Sequence, residues 1–423
     1  MRGARGARIL ISVLEGGLAR GALHPVIFNS IHGHTGVGAR RQGFKHLVQP
    51  TVVFAGLFFF ISQGLFGQLT ERPSYEGDAP ATALPLASDL SAKLTKGNVS
   101  HAIQKVADWQ LARAEAGFGQ RWTFAALYAG FMAVPDSANA QKYQDAMLRM
   151  ARKFQWQLGP RLEHADDQAI AQTYLDLYFR LHDPAMIAPT QQRMDAVMRL
   201  PDDPQKPLWW WCDALFMAPP VLAKLARATG DRRYLEFMDH EWWITSALLY
   251  SPQNHLFFRD ASFLDKREAN GRSVFWARGN GWVLAGLARV LAEMPSDYPS
   301  RPRYIAQFKE MAEELATLQG KDGLWRPGLL DEAAYPLPEI SGSAFNAVGF
   351  AYGINSGILD RRKYQPVVRR AWQGLLSHIY QDGRLGCIQP VGKAPGDFTP
   401  TSSYVYGIGG FLLAGSEVYR LAH

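Results

Sequence analysis

The amino-acid sequence predicts an all-α fold, an (α/α)6 barrel of helical hairpins, over residues 94–423. Three observations predict it: apolar residues recur at helical spacing, strand-like alternation is nearly absent, and one kind of turn recurs along the chain. The helical spacing is clear in Leu284, Leu287, Ala288 and Leu291, which fall on one face of a helix. A chain with 47% hydrophobic residues can bury a large core, and no linker divides this region.

The recurring turns give the size of the repeat. They lie at residues 254–258, 322–325 and 382–386, between sixty and seventy residues apart, and each follows a helical segment. A unit of this length holds two helices and their loops, so the region has room for five or six hairpins. Six hairpins can close into a barrel, and an open solenoid of the same hairpins is the alternative.

Before residue 94 the sequence contains a leader and a linker. Residues 1–50 hold seven Lys or Arg and one Glu, which is +6 of the formal net charge of +7. An apolar run follows at residues 52–61, and small and polar residues come after it, in the order of a secretory signal peptide. We therefore predict an N-terminal extension with a signal peptide over residues 1–68, a flexible linker over 69–93, and an exported protein, periplasmic or secreted. The alternative is an uncleaved membrane anchor.

The remaining composition excludes several classes of function. With a net charge of +1 outside the leader, the body has no basic stripe of the kind that binds nucleic acid. Cys212 and Cys387 form no metal-binding pattern and are predicted to be free, buried thiols. The sequence thus predicts no cofactor, no metal, no stable membrane insertion after cleavage of the leader, and a monomer or small homo-oligomer.

One carboxylate of the sequence stands among aromatic residues. Asp213 follows Trp209, Trp210 and Trp211 directly after Cys212. Such a carboxyl group is poorly hydrated, so its pKa is expected to rise, and it can hold a proton near neutral pH as a general acid. The alternative is an aspartate that caps the following helix or pairs with a buried arginine.

A second motif, from Phe275 to Trp282, contains an arginine among tryptophans and glycines. Asn280 is a good N-cap for an amphipathic helix that begins near Trp282, which places Arg278 just outside the helix N-terminus. The guanidinium could there hold a carboxylate bidentately, with Trp276 and Trp282 on either side of a sugar ring. The alternative is a structural arginine with two core tryptophans.

Weaker candidates complete the predicted site. Asp166 and Asp167 follow His164 at the start of a helix, where adjacent acids usually act as caps, and one of them could face Asp213 as a second carboxylate. Trp122 could be a stacking platform or a core residue. Together these residues predict a site for a sugar acid that has its own proton donor.

These motifs resemble glycoside hydrolase family 105, which contains the unsaturated rhamnogalacturonyl hydrolases, and the related family 88 of unsaturated glucuronyl hydrolases. The likeness rests on Trp-x-Cys-Asp-Ala-Leu-Phe-Met from Trp210 and Phe-Trp-Ala-Arg-Gly-Asn-Gly-Trp from Phe275, and it extends over residues 99–421. It implies an (α/α)6 barrel without a metal. The implied substrate is an oligosaccharide that ends in a 4-deoxy-Δ4,5-unsaturated uronic acid, a product of polysaccharide lyases. The implied reaction hydrates the C4=C5 double bond, and the hemiketal that forms opens to release the remaining sugar.

Carried over to this sequence, the resemblance implies that Asp213 is the acid/base and that Asp166 or Asp167 assists it. The predicted substrate-binding residues are Arg278, Trp276, Trp282, Trp211, Asn280, Arg259, His164 and Trp122. Arg259 departs from the family pattern, since many members have His at this point, and its cation is expected to change the subsite beyond the unsaturated sugar. Galacturonyl and glucuronyl termini therefore both stay open.

Two other functions are compatible with the sequence. A different (α/α)6 glycan hydrolase would act on saturated acidic polysaccharide, and it would need two carboxylates about 6.5–9.5 Å apart with water between them. A non-catalytic, sugar-binding helical scaffold would use the tryptophans as platforms and would give Asp213 no required role.

Overall fold

The structure of the protein, a computed structural model, describes residues 74–203 and 205–423, which contain fourteen α-helices. The helices are α1 (Lys96–Ala114), α2 (Trp122–Ala133), α3 (Ala140–Lys153), α4 (Ala165–Gln168), α5 (Ala171–Leu181), α6 (Ala188–Val197), α7 (Ala214–Met217), α8 (Pro219–Thr229), α9 (Arg233–Leu249), α10 (Ala277–Glu293), α11 (Arg301–Thr317), α12 (Ile340–Asn355), α13 (Arg361–Leu376) and α14 (Val405–Leu421). The strands form two antiparallel pairs, β1 (Gly77–Asp78) with β4 (Ser403–Tyr404) and β2 (Tyr250–Ser251) with β3 (Leu256–Phe257). The prediction of an all-α fold is confirmed.

Six of the helices form a closed inner ring. Each of α2, α5, α8, α10, α12 and α14 packs against the next, and α14 packs against α2. The outer helices α1, α3, α6, α9, α11 and α13 precede them along the chain and complete six hairpins, while α4 and α7 are single turns ahead of α5 and α8. The (α/α)6 barrel is thus confirmed, and the solenoid alternative is excluded because its first and last hairpins would not meet.

Side-chain patterns explain which helices lie inside. The outer helix α13 buries Tyr364, Val367, Val368 and Ala371, which form a single apolar stripe, while its other residues are largely polar. The inner helix α12 buries nearly every residue over 340–354. An apolar surface on all sides is stable only where a helix has neighbours on all sides, so α12 belongs to the inner ring.

Glycines bring the inner helices close together. A Cβ atom on Gly281 of α10 would lie 2.9 Å from the carbonyl oxygen of Gly342 in α12. Gly409 of α14 lies so close to the backbone of Ala126 in α2 that no side chain fits between them. Gly281 and Gly342 both lie near the starts of their helices, so α10 and α12 run parallel. This is expected for the second helices of two consecutive hairpins. The inner helices therefore begin at one end of the barrel.

The segment predicted to be a flexible linker is held to the barrel where the structure describes it. Strand β1 pairs with β4, and the carboxylate of Asp78 pairs with Arg113 at 3.0 Å and with Arg384 at 2.7 Å. The N–H of Ala87 donates to a barrel carbonyl at 2.8 Å. Contrary to the prediction, this stretch belongs to the folded body. Its composition, rich in Pro and Ala, gave no sign of the distant partners.

Three further predictions concern the leader, the membrane and the cysteines. The predicted signal peptide and the rest of residues 1–68 lie outside the described residues. Among the residues that are described, no helix is both long and apolar enough to cross a membrane. Cys212 and Cys387 are buried thiols that do not pair with each other, as predicted.

Candidate active site

The predicted acid lies where the inner helices begin. Asp213 immediately precedes α7, but its side chain makes no capping hydrogen bond to that helix, so the alternative of a helix cap does not hold. Because α7 packs against α8 and α10, the carboxyl group is carried by the inner ring. The side chain is buried.

A short backbone pairing brings Arg259 to this acid. The N–H of Cys212 donates to the carbonyl of Arg259 at 2.8 Å, and Trp211 is bridged to Asp260. As a result, Nε of Arg259 lies 3.4 Å from Oδ2 of Asp213, while its Nη1 donates to Asp260 at 2.7 Å. The cation expected to change an outer subsite is instead placed against the acid itself. The sequence could not show this because the pairing joins segments almost fifty residues apart.

Burial and the neighbouring cations act in opposite directions on Asp213. Burial raises the pKa of its carboxyl group, Arg259 and then Arg278 lower it, and the pKa remains above its ordinary value. The adjacent Cys212 thiol stays protonated because burial raises its pKa, and its sulfur lies 3.7 Å from the Asp213 carboxylate. The predicted property of the acid, a raised pKa caused by poor hydration, is therefore present.

The two aspartates of α4 have different environments. Arg161 donates to the carboxylate of Asp167 from its backbone N–H at 2.7 Å, from Nε at 3.0 Å and from Nη2 at 2.8 Å. Although burial opposes them, these bonds hold the pKa of Asp167 below its ordinary value. Burial, and after it the charge of Asp213, raise the pKa of Asp166 to about 7. Since the charge of Asp213 acts on Asp166, Asp166 is the aspartate of α4 that is coupled to the acid.

His164 and Trp211 form the wall beside these carboxylates. Nδ1 of His164 accepts the N–H of Asp166 at 3.3 Å, and its ring packs against Trp211 with centroids 4.7 Å apart. Burial lowers the pKa of His164, so the imidazole is neutral at pH 7. The two rings therefore hold each other in place next to Asp166.

Arg278 and Asn280 do not lie where the motif predicted. Helix α10 begins at Ala277, with Trp276 in the N-cap position, so both residues lie in the first turns of the helix. The fully buried side chain of Asn280 accepts the N–H of Phe257 at 2.7 Å and donates to its carbonyl at 3.1 Å. These two bonds to β3 outweigh the tendency of Asn to cap a helix, and they engage the amide that was predicted to bind substrate.

The guanidinium of Arg278 is also fully buried. It donates to the carbonyls of Gln389 at 2.6 Å and Pro390 at 2.8 Å, and it lies 4.0 Å from the carboxylate of Glu339. Both terminal nitrogens thus hold the loop after residue 388 to α10. The predicted bidentate grip on a sugar carboxylate is not present, and the alternative of a structural arginine describes this geometry. Arg278 acts on Asp213 through its charge.

The three predicted stacking tryptophans differ in exposure. Trp276 is buried and donates from Nε1 to Gln389 at 2.9 Å, and Trp282 is buried with its ring 3.9 Å from that of Phe345. Neither offers a free face to a sugar ring, so for these two the core alternative holds. Trp122, at the start of α2, is only partly buried and remains available as a platform.

Three residues around the site were not among those predicted. Gln389 accepts from Trp276, the hydroxyl of Tyr406 donates to the Gln389 carbonyl, and Trp210 is a large apolar side chain exposed beside buried neighbours. Gln389 carries no local signal because its partners Trp276 and Arg278 lie more than one hundred residues away in the sequence. Trp210 stood in the tryptophan run, but its exposure depends on the direction of each side chain, which the sequence does not specify.

A closed (α/α)6 barrel carries a buried and a half-buried carboxyl group, coupled to each other, at the end where its inner helices begin. A pair of aspartates or glutamates of this kind is typical of glycoside hydrolases. The chain belongs to Glycosyl Hydrolase Family 88, whose family model matches residues 87–422. The resemblance to families 105 and 88 is thus confirmed, and the protein is an enzyme that hydrolyses glycosides.

Proteins of known name and structure agree with this assignment. The chain is 38% identical over 348 residues to an unsaturated 3S-rhamnoglycuronyl hydrolase of Formosa agariphila, covering 78% of this chain and 92% of that protein. It is 35% identical over 349 residues to a protein of the same name from Alteromonas sp., covering 74% and 84%. A solved glycosyl hydrolase of family 88 from Bacteroides vulgatus is similar with a TM-score of 0.74 and 31% identity, covering 77% of this chain and 99% of that one.

Proposed function

We propose that this glycoside hydrolase removes a terminal 4-deoxy-Δ4,5-unsaturated uronic acid from oligosaccharides that polysaccharide lyases release. One observation carries the proposal: Asp213 is buried, Asp166 is half-buried, and burial together with the charge of Asp213 raises the pKa of Asp166 to about 7. Two carboxyl groups coupled in this way hold one proton between them near neutral pH. Such a pair can deliver a proton to carbon and then accept one from water.

The proposed reaction uses the two carboxyl groups in sequence. Protonated Asp213 gives its proton to C4 of the substrate, and the positive charge that develops at C5 and the ring oxygen is stabilised by ionised Asp166. Water adds to C5 and returns a proton to Asp213. The C5 hemiketal then opens, C1 becomes a hemiacetal, and the hemiacetal releases the remaining sugar chain. Arg259 holds the Asp213 carboxylate in position during these steps.

The bond that we propose for cleavage joins the unsaturated uronic acid to a rhamnose, as in the names of the two relatives. The departure at Arg259, which left the sugar next to the bond open, does not argue against this substrate. Its guanidinium contacts Asp213 and Asp260 and is therefore engaged with the acid and its neighbour.

Lyase digests of ulvan, pectin and glycosaminoglycans would test the substrate. Loss of the absorbance of the conjugated C4=C5 uronate reports hydration directly. We expect the highest kcat/KM on the digest whose unsaturated uronic acid is attached to rhamnose. Equal activity on all digests would contradict the rhamnose proposal alone, and no activity on any of them would contradict the whole proposed function.

The shared proton predicts a pH dependence. The pKa of Asp166 is raised to about 7, so the pair keeps its proton below that pH and loses it above, and kcat should fall as the pH rises through about 7. Arg259→Gln removes a cation that lowers the pKa of Asp213, so the fall should move to higher pH. The measurement is kcat against pH, with Arg149→Gln on the exposed outer helix α3 as the control. A fall that stays in place or moves to lower pH in Arg259→Gln would contradict the arrangement.

We further propose that residues 1–68 direct export and are removed, because they contain a basic segment followed by an apolar run and small residues. The test is to express the full chain in a Gram-negative host and to measure the intact mass of the protein from the periplasm and medium. A mass that lacks the leader is expected. Full-length protein retained in the membrane fraction would favour the uncleaved anchor.

A further inference from the structure

A pocket of about 600 Å³ lies next to the two carboxylates. Pockets of this size bind ligands such as short oligosaccharides, cofactors and drugs. Its lining comes from four parts of the chain, namely residues 163–164, residues 205–208 with 210–211, Leu248, and residues 260–262.

Three of these four parts continue directly into the catalytic centre. His164 stands two residues before Asp166, Trp211 stands two residues before Asp213, and Asp260 is bonded to the guanidinium of Arg259. The bridge between Trp211 and Asp260 joins two of the walls. A molecule in the pocket is therefore held by the same segments that position the acid pair, which places it beside the bond to be broken.

Trp210 gives the pocket an open aromatic face. Its side chain is 47% exposed, whereas Trp209 and Trp211 are 1% and 3% exposed. The Trp210 ring lies 4.7 Å from the ring of Trp211, and the Arg259 guanidinium lies 5.5 Å from its centroid. These contacts hold the ring, while nearly half of the side chain stays in contact with water. Sugars bind to such a surface through the C–H groups of their rings.

The polar groups of the pocket restrict the chemistry of the occupant. The charge of Asp260 is balanced by Arg259, which leaves Glu163 and Lys206 with opposite charges, while Gln205 and Ser262 can hydrogen-bond hydroxyl groups. The pocket has no excess of one charge with which to attract a strongly charged ligand. A sugar with several hydroxyls and at most one acidic group matches its polar groups better.

We propose that this pocket binds the sugars beyond the cleaved bond, with Trp210 as their stacking platform. The proposal rests on the proposed function, because it assigns the pocket to the part of the substrate that the reaction releases. Trp210 then contributes to the choice among substrates and not to the proton transfer.

The experiment compares a long and a minimal substrate of the same enzyme. The long one is an unsaturated tetrasaccharide from the digest on which the enzyme is most active, and the minimal one is the methyl glycoside of the same unsaturated uronic acid. Trp210→Ala should lower kcat/KM for the tetrasaccharide about three- to tenfold more than for the methyl glycoside, mostly through KM, as expected for the loss of one aromatic contact. Trp210→Phe, which keeps a ring, should restore most of the difference.

Controls separate the possible failures. Leu181→Ala removes another exposed apolar side chain (51% exposed) at the far end of α5 and should not discriminate between the two substrates. If Trp210→Ala lowers kcat/KM equally for both substrates, the ring only supports the fold. If it lowers kcat/KM for neither, the pocket is not used. Either result overturns the inference. Inactivity of the unsubstituted enzyme on both substrates would instead overturn the proposed function.

Discussion

Asp213→Asn is expected to lower kcat by about 10²–10⁴-fold, the usual contribution of a general acid, without changing the fold. The amide has nearly the shape of the carboxyl group but cannot donate a proton to C4. Because the Asp213 side chain makes no helix-capping bond, its replacement should not loosen α7. The measurement is the rate at which the absorbance of the conjugated C4=C5 uronate is lost, together with the circular dichroism of the variant.

Two companion variants make this result specific. Asp145→Asn changes an exposed aspartate of the outer helix α3 and should leave kcat unaltered. Asp166→Asn removes the second member of the pair, so it should also lower kcat, whereas Asp167→Asn should act mainly by releasing Arg161. Full activity in Asp213→Asn would remove this residue from the mechanism and would leave the coupled carboxylates without a role.

Gly409→Ala is expected to lower the free energy of unfolding by about 3 kcal/mol or more, at the upper end of what overpacking costs. The added Cβ would overlap the backbone of Ala126 in α2, and backbone atoms of a helix cannot rotate away as a side chain can. The α2–α14 contact closes the inner ring, so the strain arises at the contact that closes the barrel. Chemical denaturation of purified variants gives the measurement.

Gly97→Ala is the matched control for this prediction. Gly97 lies in the first turn of α1, is exposed, and has no atom within 4 Å of the position of an added Cβ. Replacement of a helical glycine by alanine at such a site is expected to stabilise the protein by up to about 1 kcal/mol. If both variants lose stability equally, the cost comes from the alanine itself, and close helix contact is not the cause.

Local sequence patterns were sufficient to predict the helices and a total of five or six hairpins, of which the structure has six. The face formed by Leu284, Leu287, Ala288 and Leu291 is buried in α10, as its spacing predicts. Closure into a ring was left open because hairpins of one pattern fit both a barrel and a solenoid. The contact between α14 and α2, which joins the two ends of this body, depends on glycines that are far apart in the sequence.

The site was predicted where chemistry is local and missed where partners are distant. Asp213 among tryptophans has the poorly hydrated environment that its neighbours in the sequence indicate. The start of α10 was predicted too late in the sequence, because asparagine is a good N-cap residue. The side-chain amide of Asn280 instead forms hydrogen bonds with the backbone of Phe257. The glycine of the same motif, Gly281, admits the neighbouring helix α12, which the motif alone does not show.

The closed inner ring also has a consequence for how the body comes apart. An open array of hairpins can fray from its ends, because a terminal repeat has only one neighbour to leave. Here every hairpin has two neighbours, and detaching any one of them breaks two interfaces and exposes the apolar surface of both. Partially unfolded forms should therefore be too costly to accumulate, and the body should melt in a single cooperative transition despite its size.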